Sequence, residues 1–97
     1  MATFISLLEF TDQGIRNVKE TAKRAEAFKA MAKKGGVTVK EIYWTMGTYD
    51  VVLIVDAPDD ETATAVIMSL GALGNVRTQT LRAFSAEEMN RIITKMP

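Results

Sequence analysis

A chain of 97 residues with twelve basic and twelve acidic side chains, and with neither cysteine nor histidine, is the size of one small domain whose core is near the lower limit of self-sufficiency. Balanced charge provides no net field toward nucleic acid or an anionic membrane, and the missing residue types exclude disulfide staples, thiolate nucleophiles and the commonest general base and metal ligand. The start, "MATFISLLEF", lacks the basic segment of a secretory signal, and no apolar run approaches the roughly 20 residues that cross a bilayer. A cytoplasmic, soluble single domain over residues 1–97 is expected, without membrane or nucleic-acid partners.

"TFISLLEF", residues 3 to 10, is apolar and β-prone and leads through the polar "TDQG" to a helix start. From Gly14 the period changes. Ile15, Val18, Ala22, Ala25, Phe28 and Ala32 recur at steps of three and four, with Arg16, Lys19, Glu20, Lys23, Arg24, Glu26 and Lys29 on the other side. That pattern predicts one continuous amphipathic helix. Lys33-Lys34-Gly35-Gly36 ends it, because cations suit the negative end of the helix dipole and glycine supplies a left-handed closing residue.

"VTVKEIYWTM", Val37 to Met46, alternates apolar and polar, but the apolar phase shifts between Val39 and Ile42, as a bulge at Lys40-Glu41 would produce. "VVLIV", Val51 to Val55, has no polar face and predicts a central strand covered on both sides. Asp56 to Glu61 is a turn followed by acidic helix-start chemistry. The next helix carries Ala63, Val66, Ile67, Leu70 and Leu73 as its stripe, and no charged residue occurs from Thr62 through Val76. A helix without a charged outer face is expected to be covered on more than one side, by another subunit or by the C-terminal helix. "VRTQTLRAF", Val76 to Phe84, is polar in both phases, as an edge strand would be. Ser85 to Glu88 spells a capping box, with Phe84 and Met89 spaced as a hydrophobic staple, for a last helix bearing Met89, Ile92, Ile93 and Met96.

Two right-handed strand-helix-strand crossovers lead to an α+β, ferredoxin-like βαββαβ fold with an extra C-terminal helix and an antiparallel sheet of order 4-1-3-2. The helices cover one face only, yet the third strand is apolar in both phases. Two sheets packed face to face, a dimeric α/β barrel, would cover the other. A homodimer or higher homo-oligomer is therefore expected.

The blocks "MGTYDVVLIVDAPDDETA" and "LGALGNVRTQTLRAFSAEE" together resemble the GYD domain family, small proteins named for the residues that stand here as Gly47, Tyr49 and Asp50. The resemblance runs from about Thr3 to Ile93 and implies the same ferredoxin-like, dimeric α/β barrel fold, without supplying a function. The G-x-Y-D turn is also similar to one in the effector-binding domains of leucine-responsive and asparagine-responsive transcription regulators. That similarity implies an oligomeric domain binding a small molecule between subunits; the helix-turn-helix segment of those regulators is missing.

Five side chains stand as ligand-binding candidates. Gly47 to Asp50 reads first as a hairpin connection, in which glycine permits positive φ and aspartate bonds nearby backbone N–H groups, and Tyr49 and Asp50 are placed to meet a ligand. Tyr43 and Trp44 alternate on one strand and must point to opposite faces, as buried anchors or as ligand platforms. Arg82 could bind a carboxylate or phosphate from the fourth strand. Asp56, Asp59, Asp60 and Glu61 lack calcium-loop spacing, so no metal is expected, and Lys40 reads as a solvated charge. No catalytic residue and no cofactor are assigned. The residues favour a non-enzymatic module for small-molecule binding or assembly. The alternative is a cofactor-free oxygenase, isomerase or lyase of the dimeric α/β barrel class, which would need a carboxylate beside a tyrosine or arginine in a closed pocket.

Overall fold

The computed structural model describes all of residues 1–97. Strands β1 (Ala2–Phe10), β2 (Thr38–Trp44), β3 (Val51–Ala57) and β4 (Val76–Ala83) form one antiparallel sheet in the order β2-β3-β1-β4, which is the expected 4-1-3-2 read from the other edge. The two most apolar strands are central, because a strand hydrogen-bonded on both edges and covered by helices must lose its side chains' water. Helices α1 (Asp12–Arg16) and α2 (Thr21–Lys34) cross from β1 to β2, α3 (Asp60–Ala72) crosses from β3 to β4, and α4 (Ala86–Thr94) follows β4. No helix is long and apolar enough to cross a membrane.

Strand alternation divides the sheet into two unlike faces. Phe4, Leu8, Val51, Leu53, Val55 and Ala57 form one core with Phe28 and Ala32 of α2 and with Ala63, Val66 and Ile67 of α3. Ser6 is fully buried in the same row, its hydroxyl bonded to that of Thr80 at 2.7 Å, which removes the cost of an unpaired buried polar group. The opposite face carries Ile5 and Leu7 of β1, Val52 and Ile54 of β3, and Leu81 of β4. No element lies on it. The register of β2 on β3 shifts between Val39 and Glu41, so the bulge expected from the phase change is present at Lys40. It returns Ile42 and Trp44 to the helix side and turns Tyr43 to the open side.

The first crossover differs from the expected continuous helix. The chain leaves helical geometry at Asn17, with φ −105° and ψ 28°, passes through a short 3-10 turn (Val18–Glu20), and restarts as α2. Ile15 and Val18 are accordingly 52% and 36% exposed rather than part of the core. The carbonyls freed by the break are satisfied by Arg24, whose guanidinium donates to Asn17 O at 2.7 Å and Gly14 O at 3.2 Å. Gly14 is buried against the chain before β4, where a Cβ would lie 1.9 Å from Asn75 O, so the close approach of α1 requires glycine.

Within the single chain the outer face of α3 is uncovered. Thr64, Ala65, Met68 and Ser69 are exposed, and α4 does not cover them, because α4 packs closely on no other element. The molecule is correspondingly elongated, with extents of 50 × 31 × 18 Å and a radius of gyration of 14.5 Å, against about 13 Å for a compact domain of about 100 residues. The capping box that opens α4 is formed in both directions. Ser85 Oγ accepts from Glu88 N–H at 3.1 Å and Glu88 Oε1 accepts from Ser85 N–H at 3.0 Å.

Candidate functional site

The open face is built by alternation on all four strands. Tyr43, Val52, Leu7 and Gln79 make one row across the sheet, and Glu41, Ile54, Ile5 and Leu81 the next. Glu9 faces Arg77 at one end, and Thr3, Asp56 and Thr38 close the other. Asp56 accepts from Thr3 Oγ1 at 3.0 Å and pairs with Lys40 at 3.7 Å. The result is an aliphatic centre with a polar and charged rim, which is the general anatomy of a protein interface.

The turn before β3 locks one end of this face. Gly47 takes φ 108°, a conformation open to glycine without strain. Thr45 N–H donates to Asp50 O at 2.8 Å and Thr45 Oγ1 to Tyr49 O at 2.7 Å. Asp50 carries the ladder one step further, its N–H donating to Leu8 O at 2.8 Å, while its Oδ2 accepts from Phe10 N–H at 2.8 Å. Its carboxylate is thereby committed to the backbone of β1. Tyr49 reaches across the end of β1 and donates to Gln79 Oε1 at 2.8 Å, so this ring lies on the open face.

The five candidate side chains do not converge on one point. Tyr43 and Tyr49 share the open face. Tyr43 is 53% exposed, no buried anchor, and donates to Glu41 Oε2 at 2.9 Å; this bond and the nearby negative charge raise the phenol pKa above its ordinary value. Trp44 is 47% exposed on the other side of the sheet, its indole N–H donating to Thr21 Oγ1 at 3.0 Å. Arg82 is occupied within the chain. It donates to Thr3 O at 3.4 Å and to Ala83 O, pairs with Glu88 at 3.3 Å, and lies over the rings of Phe4 and Phe84 at 5.6 and 4.5 Å. Its role here is to join β1, β4 and the start of α4.

A second concavity lies on the helix side, between α2 and the sheet, with a volume of about 220 Å³. Trp44 and Thr21 border it together with Arg24 and Asn75, and the remaining wall is almost wholly hydrophobic. Sequence periodicity puts Arg24 on the solvent side of a continuous helix; in the structure it bonds the carbonyls at the break and lines this cavity. No group of acidic side chains is arranged to hold a metal ion.

The model of the GYD domain matches residues 4–93 of this chain. The chain belongs to the GYD domain family. The family's three naming residues are therefore, in this protein, a positive-φ glycine, a tyrosine laid over the open face and an aspartate bonded to the backbone of β1. A curated relative from Thermus thermophilus, the "Glutamine synthetase and cystathionine beta-lyase binding protein", is 33% identical over 90 residues, which are 92% of this chain and 95% of the relative. The crystal structure of TTHA0845, also from Thermus thermophilus, is similar at TM-score 0.58 and 28% identity, covering 89% of this chain and 96% of that one. A second crystal structure, of an FFRP protein, reaches TM-score 0.61 at 21% identity, covering 87% of this chain and all of that one; it shows the fold alone.

Proposed function

We propose that this GYD domain is a non-enzymatic binding module that pairs with a second copy of itself through the open sheet face and, so assembled, binds other proteins. The observation that carries this reading is the open face itself. Ile5, Leu7, Val52, Ile54 and Leu81 form a contiguous aliphatic surface on the sheet's uncovered side. Burying such a surface is worth roughly 25 cal/mol per Å², and a domain of this size gains from sharing a core. Tyr43 and Tyr49 flank that surface and supply the aromatic contacts that interfaces favour.

The partner class is suggested by the relative's name. That protein binds two enzymes, glutamine synthetase and cystathionine beta-lyase, and we extend an enzyme-binding role of the same kind to this chain. The cofactor-free enzyme alternative has less support, because the helix-side cavity contains no aspartate or glutamate and the one close carboxylate-tyrosine pair, Glu41 with Tyr43, stands on the exposed face. Surface binding of purified glutamine synthetase and cystathionine beta-lyase to the immobilised protein tests the role. Saturable, stoichiometric binding of either enzyme is expected; no binding of either at tens of micromolar contradicts it.

A further inference from the structure

Behind the sheet, α2 covers the helix-side core through Phe28 and Ala32. Its backbone comes closest to β2, while Phe28 reaches the core over β1 and β3, and the 220 Å³ cavity lies beside that contact, lined by Leu8, Val51 and Leu53. Thirteen of the sixteen lining residues are hydrophobic, and the deep wall of Leu8, Phe28, Val51 and Leu53 is buried. An apolar cavity of about 150 Å³ takes up benzene, so this one has room for a ring or branched chain with a short tail.

The mouth is chemically one-sided. Arg24 is the only charged side chain in the lining, and it forms no ion pair with any carboxylate of the chain. Its two bonds to Gly14 O and Asn17 O, with its stacking 6.0 Å from the Phe10 centroid, fix the direction of the guanidinium. They use two of its five donors. A pre-oriented cation beside a half-open apolar cavity favours an anionic head and repels a cationic one.

We propose that this cavity binds a small carboxylic acid with an apolar body, the body under α2 and the carboxylate on Arg24. Thr21 and Asn75 also line the cavity; their oxygens accept from Trp44 and Gln13, which leaves the Thr21 hydroxyl proton and the Asn75 amide N–H groups to donate. The site is on the opposite side of the sheet from the docking face and does not depend on association through it.

Trp44 is the chain's single tryptophan and borders the cavity, so its fluorescence reports occupancy directly. Purified protein is titrated with 3-phenylpropanoate, with the corresponding amide, and with 3-phenylpropylamine. The acid is expected to give a saturable change, with the amide and the amine at least about tenfold weaker, the size of one charge-assisted hydrogen bond. Arg24→Met is expected to weaken the acid about tenfold while leaving the amide within about twofold, and Arg24→Lys to recover part of the loss. Ala25→Leu narrows the cavity and is expected to weaken acid and amide alike, which keeps the test decisive if Arg24→Met does not fold by circular dichroism. The proposal is overturned by the absence of a saturable change up to about 10 mM acid, a concentration at which even millimolar affinity is visible. Equal affinity for acid and amine, or an unchanged acid affinity in Arg24→Met, overturns it as well.

Discussion

Asp50 directs its carboxylate to the backbone of a neighbouring strand. An aspartate after glycine and tyrosine reads as turn chemistry or as an acid placed for a ligand, and its carboxylate in fact receives the Phe10 N–H at 2.8 Å. A backbone donor left without its acceptor away from water costs about 1–3 kcal/mol. Asp50→Ala is therefore expected to lower the unfolding free energy by about that amount in urea titration, with Asp50→Asn losing less because an amide oxygen can still accept. A loss below about 0.5 kcal/mol, the range of ordinary surface substitutions, would show that water replaces the contact. The turn's shape is legible from the glycine and the aspartate; the identity of the donor is not, because Phe10 lies forty positions away and is brought there only by β1–β3 pairing.

Among the elements, the strands are the most legible. A period of two leaves a phase to read, and the phase slip between Val39 and Ile42 locates the bulge at Lys40. The break in the first helix is hidden because Ile15 and Val18 keep helical spacing, while what divides it is the local geometry at Asn17 and the side chain of Arg24 seven residues on. The last helix is legible at its start and not in its packing. Its capping box supplies a pH prediction. The Ser85 N–H bond, with help from the Arg82 guanidinium, holds the Glu88 carboxyl below its ordinary range, about 4.3 in unfolded chains. A depressed folded pKa means that the contribution is present above the unfolded value and is lost as pH falls through the folded one. Amide exchange protection at the first turn of α4 is expected to hold from neutral pH to about 4 and to drop below it, while core amides of β1 and β3 stay protected. In Glu88→Gln the pH dependence at α4 should disappear; if it persists unchanged, the cap is not its source.

At the scale of the whole molecule, one sheet has a core on one side and an aliphatic surface on the other. Val51 to Val55 announces both, since a strand apolar in both phases cannot satisfy a single layer of helices. The charge-free stretch from Thr62 to Val76 announces cover for α3 that the single chain does not provide, and Met89 and Ile93 of α4, with Met96 just after it, are exposed without close packing on another element. On the proposed association these surfaces are covered by another chain, so one sequence states the need and not the answer. A charge placed at Ile54, in the middle of the open face, would have to be buried unpaired if two sheets meet there. The most direct measurement is the mass in solution by light scattering after size exclusion, for the native chain of 10.7 kDa and for Ile54→Lys. Association through the open face predicts a dimer or larger assembly at micromolar concentration for the native protein and a folded monomer for Ile54→Lys. A native protein that stays monomeric up to about 100 μM, weaker than the affinity expected of a specific interface, or an Ile54→Lys variant that assembles as well as the native chain, would contradict it.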